Sequence, residues 1–190
     1  MPNVTWQEPQ ILVDLLALNL LAGKNGMMLP GRKEIAIISA WLSDVELFTR
    51  PGPWGIQVAA GEVPGAITLA ELLISFLNER WEVHVAVLAY GTSPSGLRKD
   101  RDQFPLERQL LQRLIDRGAS VYLLRDLHAK GLVTPLGLVT GSTNITQSGL
   151  FLQSQNTNYF SYEHPDFQSN RTHLYSLFEG KQRECNMRGR

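Results

Sequence analysis

The chain has 190 residues, 43% of them hydrophobic, and its eighteen basic and eighteen acidic residues cancel to a formal net charge of zero. That length and composition fit one soluble compact domain able to bury a real core, and the neutral balance excludes affinity for nucleic acid through overall charge, so any such affinity rests on a local patch. The lone Cys185 excludes an intramolecular disulfide, and nothing points to an oxidising compartment.

In chain order, the apolar run from Ile11 to Ala22 recurs near helical spacing and ends at Gly23, which predicts an amphipathic helix over residues 9–22. Asp14 and Asn19 interrupt it, and no basic segment precedes it, so neither a signal peptide nor a membrane span is expected and the location expected is the cytoplasm. Its apolar face packs either on the chain's own sheet or on a second copy. Strands are expected near 35–41, 55–60, 83–89, 120–125, 127–133, 136–141 and 157–162, and further helices near 67–80, 104–118 and 166–179. This alternation predicts an α/β layered fold. The polar segment from Gly91 to Phe104 reads as a substrate-facing or disordered loop.

Residues 96–130 form the local basic stretch. Arg108, Arg113 and Arg117 there read as a solvated helix face with intrahelical ion pairs, whereas the loop residues Arg98, Lys99 and Arg101 are the candidates for phosphate contact. The tail from Lys181 reads as a frayed basic end. His84, His128, His164 and His173 are scattered, so a metal site would have to be assembled by tertiary contacts, and no metal or other cofactor is expected. The organisation expected is a lead-in over residues 1–30, a domain over 31–180 and a tail over 181–190.

The chemistry concentrates in His128-Ala129-Lys130, followed fourteen residues after the histidine by Ser142 within Gly141-Ser142-Thr143-Asn144. On an extended segment His128 and Lys130 share one face while Leu127, Ala129 and Val133 share the other. A turn at Pro135 and Gly137 carries the small polar residues back towards the histidine. This set suits a phosphodiester. A neutral imidazole can attack phosphorus near pH 7 and split one difficult displacement into two. Lys130, the Ser142 hydroxyl and the Asn144 amide are placed to bind the non-bridging oxygens as charge builds there.

His-x-Lys, a hairpin, Gly-Ser-x-Asn and the trailing Ile145-Thr146-Gln147-Ser148-Gly149-Leu150 together resemble the signature of the phospholipase D superfamily. The strand Glu34 to Ser43 resembles the family's opening strand, and weaker similarity runs over residues 33–180. The resemblance implies an α/β/α sandwich around a mixed central sheet, metal-free phosphodiester transfer through a phosphohistidine, and an active site made of two such motifs. Only one is found here, which implies a homodimer pairing His128 across a twofold axis. Three departures stand out. Pro135 occupies the position of the family's aspartate, the interval from Lys130 to Gly141 is one residue short, and Gln153 to Asn158 hold no carboxylate where the family has one to orient the histidine. Asn156 and Asn158 are the candidates for that orienting role.

The expected function is a metal-independent nuclease acting on DNA. The alternative is a degenerate nucleic-acid-binding subunit working with other proteins of a DNA-processing or defence complex; a lipid phosphodiesterase ranks below both. Strandedness, DNA versus RNA, and sequence preference are not encoded in any residue pattern.

Overall fold

The computed structural model describes residues 3–6, 10–48, 66–100, 103–152, 155–184 and 187. The strand expected at 55–60 lies outside these residues, as does Arg101.

The centre is a seven-stranded mixed sheet. Its strands are β1 (Asn3–Trp6), β2 (Glu34–Ser39), β5 (Glu82–Leu88), β8 (Ser120–Leu124), β9 (Gly131–Thr134), β10 (Gly137–Gly141) and β11 (Asn156–Ser161), in the order β1-β11-β10-β9-β2-β5-β8. β2, β5 and β8 run parallel, while β9, β10, β11 and β1 form an antiparallel meander that joins them at β2. Short pairs complete the strands: β3 (Glu46–Phe48) with β4 (Ile67–Thr68), and β6 (Gly91–Thr92) with β7 (Arg98–Lys99).

The parallel strands require crossovers, and helices α2 (Leu69–Asn78) and α3 (Pro105–Asp116) supply them. α2 starts on a capping box: the Thr68 hydroxyl accepts from the Glu71 amide, and the Glu71 carboxylate accepts from the Thr68 amide. Asp44 takes a third orphan donor, the Ala70 N–H, at 2.8 Å.

Alternation along the strands separates two cores. Ile35, Ile37, Val83, Val85, Val87, Val121, Leu132 and Val139 face α2, α3 and the helix α1 (Gln10–Lys24). Ala36, Ile38, Ala86, Leu88, Tyr122, Leu124, Val133 and Leu138 face the other way, onto Phe167, Leu174 and Phe178 of α4 (Phe167–Ser176) and the turn after it. The result is an α/β/α sandwich around a mixed sheet, as the family resemblance implies. α1 packs on the chain's own sheet. Asn19, which interrupts its apolar run, is buried and donates to Thr134 Oγ1 at 2.9 Å, while that hydroxyl donates to the Gly137 carbonyl at 2.8 Å. The polar residue in α1 thus braces the β9–β10 turn.

The four expected helices are found within two or three residues of their predicted bounds. Three expectations change. The strand drawn from 127 begins at Gly131, because residues 125–129 are a connector that precedes the ladder. Two arginines of α3, expected to pair within the helix, reach outside it: Arg113 faces Asp44 at 3.8 Å and Arg108 donates to the Met187 carbonyl at 3.0 Å. Nor is the tail frayed at Glu184 and Met187. The Glu184 amide donates to the Val121 carbonyl, forming a bridge on β8, and the buried Met187 donates its amide to Gln112 Oε1. No helix among the described residues is long and apolar enough to cross a membrane.

Candidate active site

The carboxyl ends of β2, β5 and β8 lie at one end of the sheet, where connections leave the parallel strands. β9 runs antiparallel to β2, with Gly131 opposite Ile38, so the residues just before β9 sit at this same end. Leu127, Ala129 and Val133 all pack into the core on the α4 side, and this anchors the alternation that turns His128 outwards. The His128 side chain is 60% exposed.

Lys130 continues the β9–β10 ladder by one step. Its carbonyl accepts from the Gly141 amide at 3.4 Å, which brings the second motif alongside the first. Gly141 is required by the approach of β11: a Cβ there would overlap the Asn156 carbonyl oxygen. Ser142 follows with its amide on that same carbonyl at 3.0 Å. Its hydroxyl accepts from the Asn156 amide at 3.1 Å and donates to Gln155 Oε1 at 2.5 Å. Asn144 is held more loosely, its Oδ1 lying 3.5 Å from Ser39 Oγ at the end of β2. The Ser39 hydroxyl donates to the Trp41 carbonyl and accepts from the Ile145 amide, which fixes the turn carrying Asn144.

Lys130 Nζ donates to the His128 carbonyl at 2.9 Å. Partial burial pushes its pKa below the ordinary lysine value, because a desolvated ammonium is disfavoured. His128, Lys130, Ser142 and Asn144 thus stand at one end of the sheet on two connected segments.

The histidine's partners differ from those expected. Asn156 and Asn158 do not hold it; the backbone of Asn156 is committed to Ser142 instead. His128 Nε2 lies 2.8 Å from Ser95 Oγ and 3.3 Å from Asp126 Oδ1, and Ser95 Oγ donates to the same Asp126 oxygen at 2.6 Å. With the Ser95 proton on Asp126, both neighbours face Nε2 as acceptors. The network therefore assigns a proton to Nε2 and leaves Nδ1 as the lone-pair nitrogen. Asp126 was legible in principle, since it lies two residues before His128 on an extended segment. Ser95 was not, because it comes from the segment at 91–104.

Residues 91–99 of it form a hairpin, β6–β7, and Lys99 fastens it. Lys99 is completely buried, with Nζ 2.5 Å from Glu107 Oε1 and donating to the carbonyls of Ala40 and Leu88. Burial pushes its pKa down, opposed by the Glu107 charge. The assignment of Lys99 to substrate contact is therefore corrected: a fully enclosed ammonium cannot reach a phosphate, and its three polar contacts clamp the hairpin to α3 and to the ends of β2 and β5. Glu107 completes the clamp by accepting from the Leu42 amide and from Tyr90 Oη. Arg98 is exposed and pairs with Asp100 at 2.8 Å.

This topology is the phospholipase D fold. Among solved structures, the chain is similar to a phospholipase D family member, Nuc from Salmonella typhimurium, with a TM-score of 0.58 and 12% identity over 97% of this chain and 99% of that one. It is similar to NucT from Helicobacter pylori, with a TM-score of 0.53 and 9% identity over 94% and 96%. A phosphatidylserine synthase from Haemophilus influenzae aligns with a TM-score of 0.58 and 13% identity over 93% of this chain but 38% of its own. No family model and no curated protein matches the chain by sequence.

Proposed function

We propose that the chain is a phosphodiesterase of the phospholipase D type acting on nucleic acid, DNA in the first instance, without a metal in the reaction. The observation that carries this reading is the pairing of Gly141 with Lys130, which joins the two halves of the motif beside an exposed imidazole.

In this mechanism the Nδ1 lone pair of His128 attacks phosphorus and the bond from phosphorus to the leaving oxygen breaks. That oxygen takes a proton from the partner subunit's His128, and water then attacks the phosphohistidine to regenerate the enzyme. Lys130 offsets the charge on the non-bridging oxygens. Asp126 and Ser95 hold the ring and take the role that the family signature gives to a carboxylate after the second motif. The missing aspartate at Pro135 falls at the far end of β9, roughly 20 Å of extended chain from His128, where Thr134 and Asn19 brace the turn. Its absence removes nothing from the immediate surroundings of the imidazole.

The deciding experiment is cleavage of single- and double-stranded DNA in excess EDTA by wild type and His128→Ala, alongside the mass in solution by light scattering. EDTA-resistant cleavage lost in the variant, from a dimer, is expected; a fully active monomer would remove the shared-site arrangement. One observation favours a second reading. The Ser142 hydroxyl donates to Gln155 and accepts from Asn156, so its proton is not offered to a non-bridging oxygen as charge builds there. DNA binding with no cleavage would assign the chain as a binding subunit of a larger DNA-processing or defence assembly.

A further inference from the structure

The opposite end of the sheet holds a second histidine in a different setting. Glu34 opens β2, Glu82 opens β5, and His84 follows two residues later on β5, so the parallel register sets the three side by side. Their ligand atoms all lie within 4.8 Å of one another. His84 Nε2 is 3.3 Å from Glu34 Oε1 and 3.9 Å from Glu82 Oε2.

Each carboxylate divides its oxygens in the same way. Glu34 gives Oε2 to Arg171 at 3.0 Å and turns Oε1 to the histidine; Glu82 gives Oε1 to Arg32 at 2.6 Å and turns Oε2 to it. The histidine is 8% exposed, and its Nε2 is buried with no hydrogen-bond partner. Its other nitrogen, Nδ1, lies 3.4 Å from Tyr122 Oη, a contact that orients the ring. Phe178 stacks on the imidazole at 5.7 Å between centroids and Tyr175 meets it edge-on, so the ring cannot swing away.

We propose that Glu34, Glu82 and His84 form a binding site for one divalent transition-metal ion of the zinc class, remote from His128. An ion about 2.0–2.2 Å from each donor needs adjacent donors roughly 3–3.5 Å apart. The Glu34–His84 separation already meets this, and the exposed Glu82 side chain has the freedom to close the rest. One imidazole and two carboxylates are a donor set that such ions accept, with solvent filling the open position beside Glu82. Arg32, Arg171 and Tyr122 stand behind the three donors and aim them, as outer partners do around bound metals. The ion would tie the starts of β2 and β5 together and, through Arg171, fasten α4 to the sheet; it takes no part in the chemistry at the other end.

The test uses the full chain stripped with chelator and dialysed free of it. Calorimetric titration with Zn2+, and with Co2+ followed by visible absorption, is expected to give one saturable site per chain and a rise in melting temperature. Glu82→Gln, at an exposed position that folding tolerates, is expected to weaken Zn2+ binding at least tenfold. His84→Gln should abolish the Co2+ absorption band, and His128→Ala should bind as wild type does. No saturable binding by wild type, or binding indifferent to both Glu82→Gln and His84→Gln, overturns the proposal. Because the readouts are binding and melting, the result is independent of whether the chain cleaves DNA.

Discussion

His128 and His84 sit at opposite ends of one sheet, and their surroundings have little in common. His128 lies on a connector outside the ladder, more than half exposed, and its ring is held by two loop residues, Ser95 and Asp126. His84 lies inside β5, walled by Tyr122, Tyr175 and Phe178, with both ring nitrogens turned to side chains of the core. The first can meet a large ligand and exchange protons with water, whereas the second can meet nothing larger than an ion. In an α/β sheet the loops after parallel strands are free of ladder hydrogen bonds, so reactive groups there are positioned by neighbours that can themselves be varied. Residues at the strand starts are positioned by the ladder.

The largest effect should come from exchanging the two sites' roles. His128→Ala is expected to lower the DNA cleavage rate by about 10^3-fold or more with an unchanged melting temperature, since the ring packs in no core. His84→Ala should do the reverse, costing about 1–3 kcal/mol of stability while the folded fraction keeps its turnover, as urea denaturation and specific activity would show. Comparable losses of activity in both variants would break the comparison.

Next comes the clamp beneath the active end. Lys99→Met leaves the Glu107 charge buried without its partner and should cost about 3–5 kcal/mol in urea denaturation, most of it restored when Glu107→Gln is added. If Lys99→Met were neutral, the hairpin carrying Ser95 would owe its order to something else. A smaller effect is expected from Asp126→Asn. Losing a charge-assisted hydrogen bond to the histidine should lower kcat by about ten- to a hundredfold with KM little changed, whereas a change in KM alone would make Asp126 a substrate contact. The subtlest test concerns pH. Burial disfavours the charged form of Lys130, so its proton leaves below the usual lysine pKa of about 10.4, and cleavage should decline as pH rises through that lowered value. Lys130→Arg should carry activity to higher pH.

The periodic parts of the molecule were legible in the sequence. The four helices and the strands of the sheet's middle announce themselves by spacing, and His128, Lys130, Ser142 and Asn144 by their order around a hairpin. What escaped depends on contacts between distant segments. The hairpin at 91–99 has only two residues in each strand, and its order rests on a lysine whose burial no local pattern signals. The amides of Asn156 and Asn158 looked suited to orient the histidine because the spacing matched, but the pairing of β10 with β11 commits the Asn156 backbone to Ser142. The grouping of Glu34 with Glu82 and His84 depends on the β2–β5 register and was hidden for the same reason.

The bridge between Glu184 and Val121 has a bearing on how this protein is handled. β8 is the last strand of the sheet, and on its outer side the returning tail supplies a hydrogen bond where another polypeptide could otherwise add. A chain cut at residue 180 would keep every group at both histidine sites yet uncover that side of the strand, inviting edge-to-edge polymerisation. The segment at Glu184, in a tail that reads as a frayed basic end, thus covers part of this edge, and its removal should be seen first in solubility.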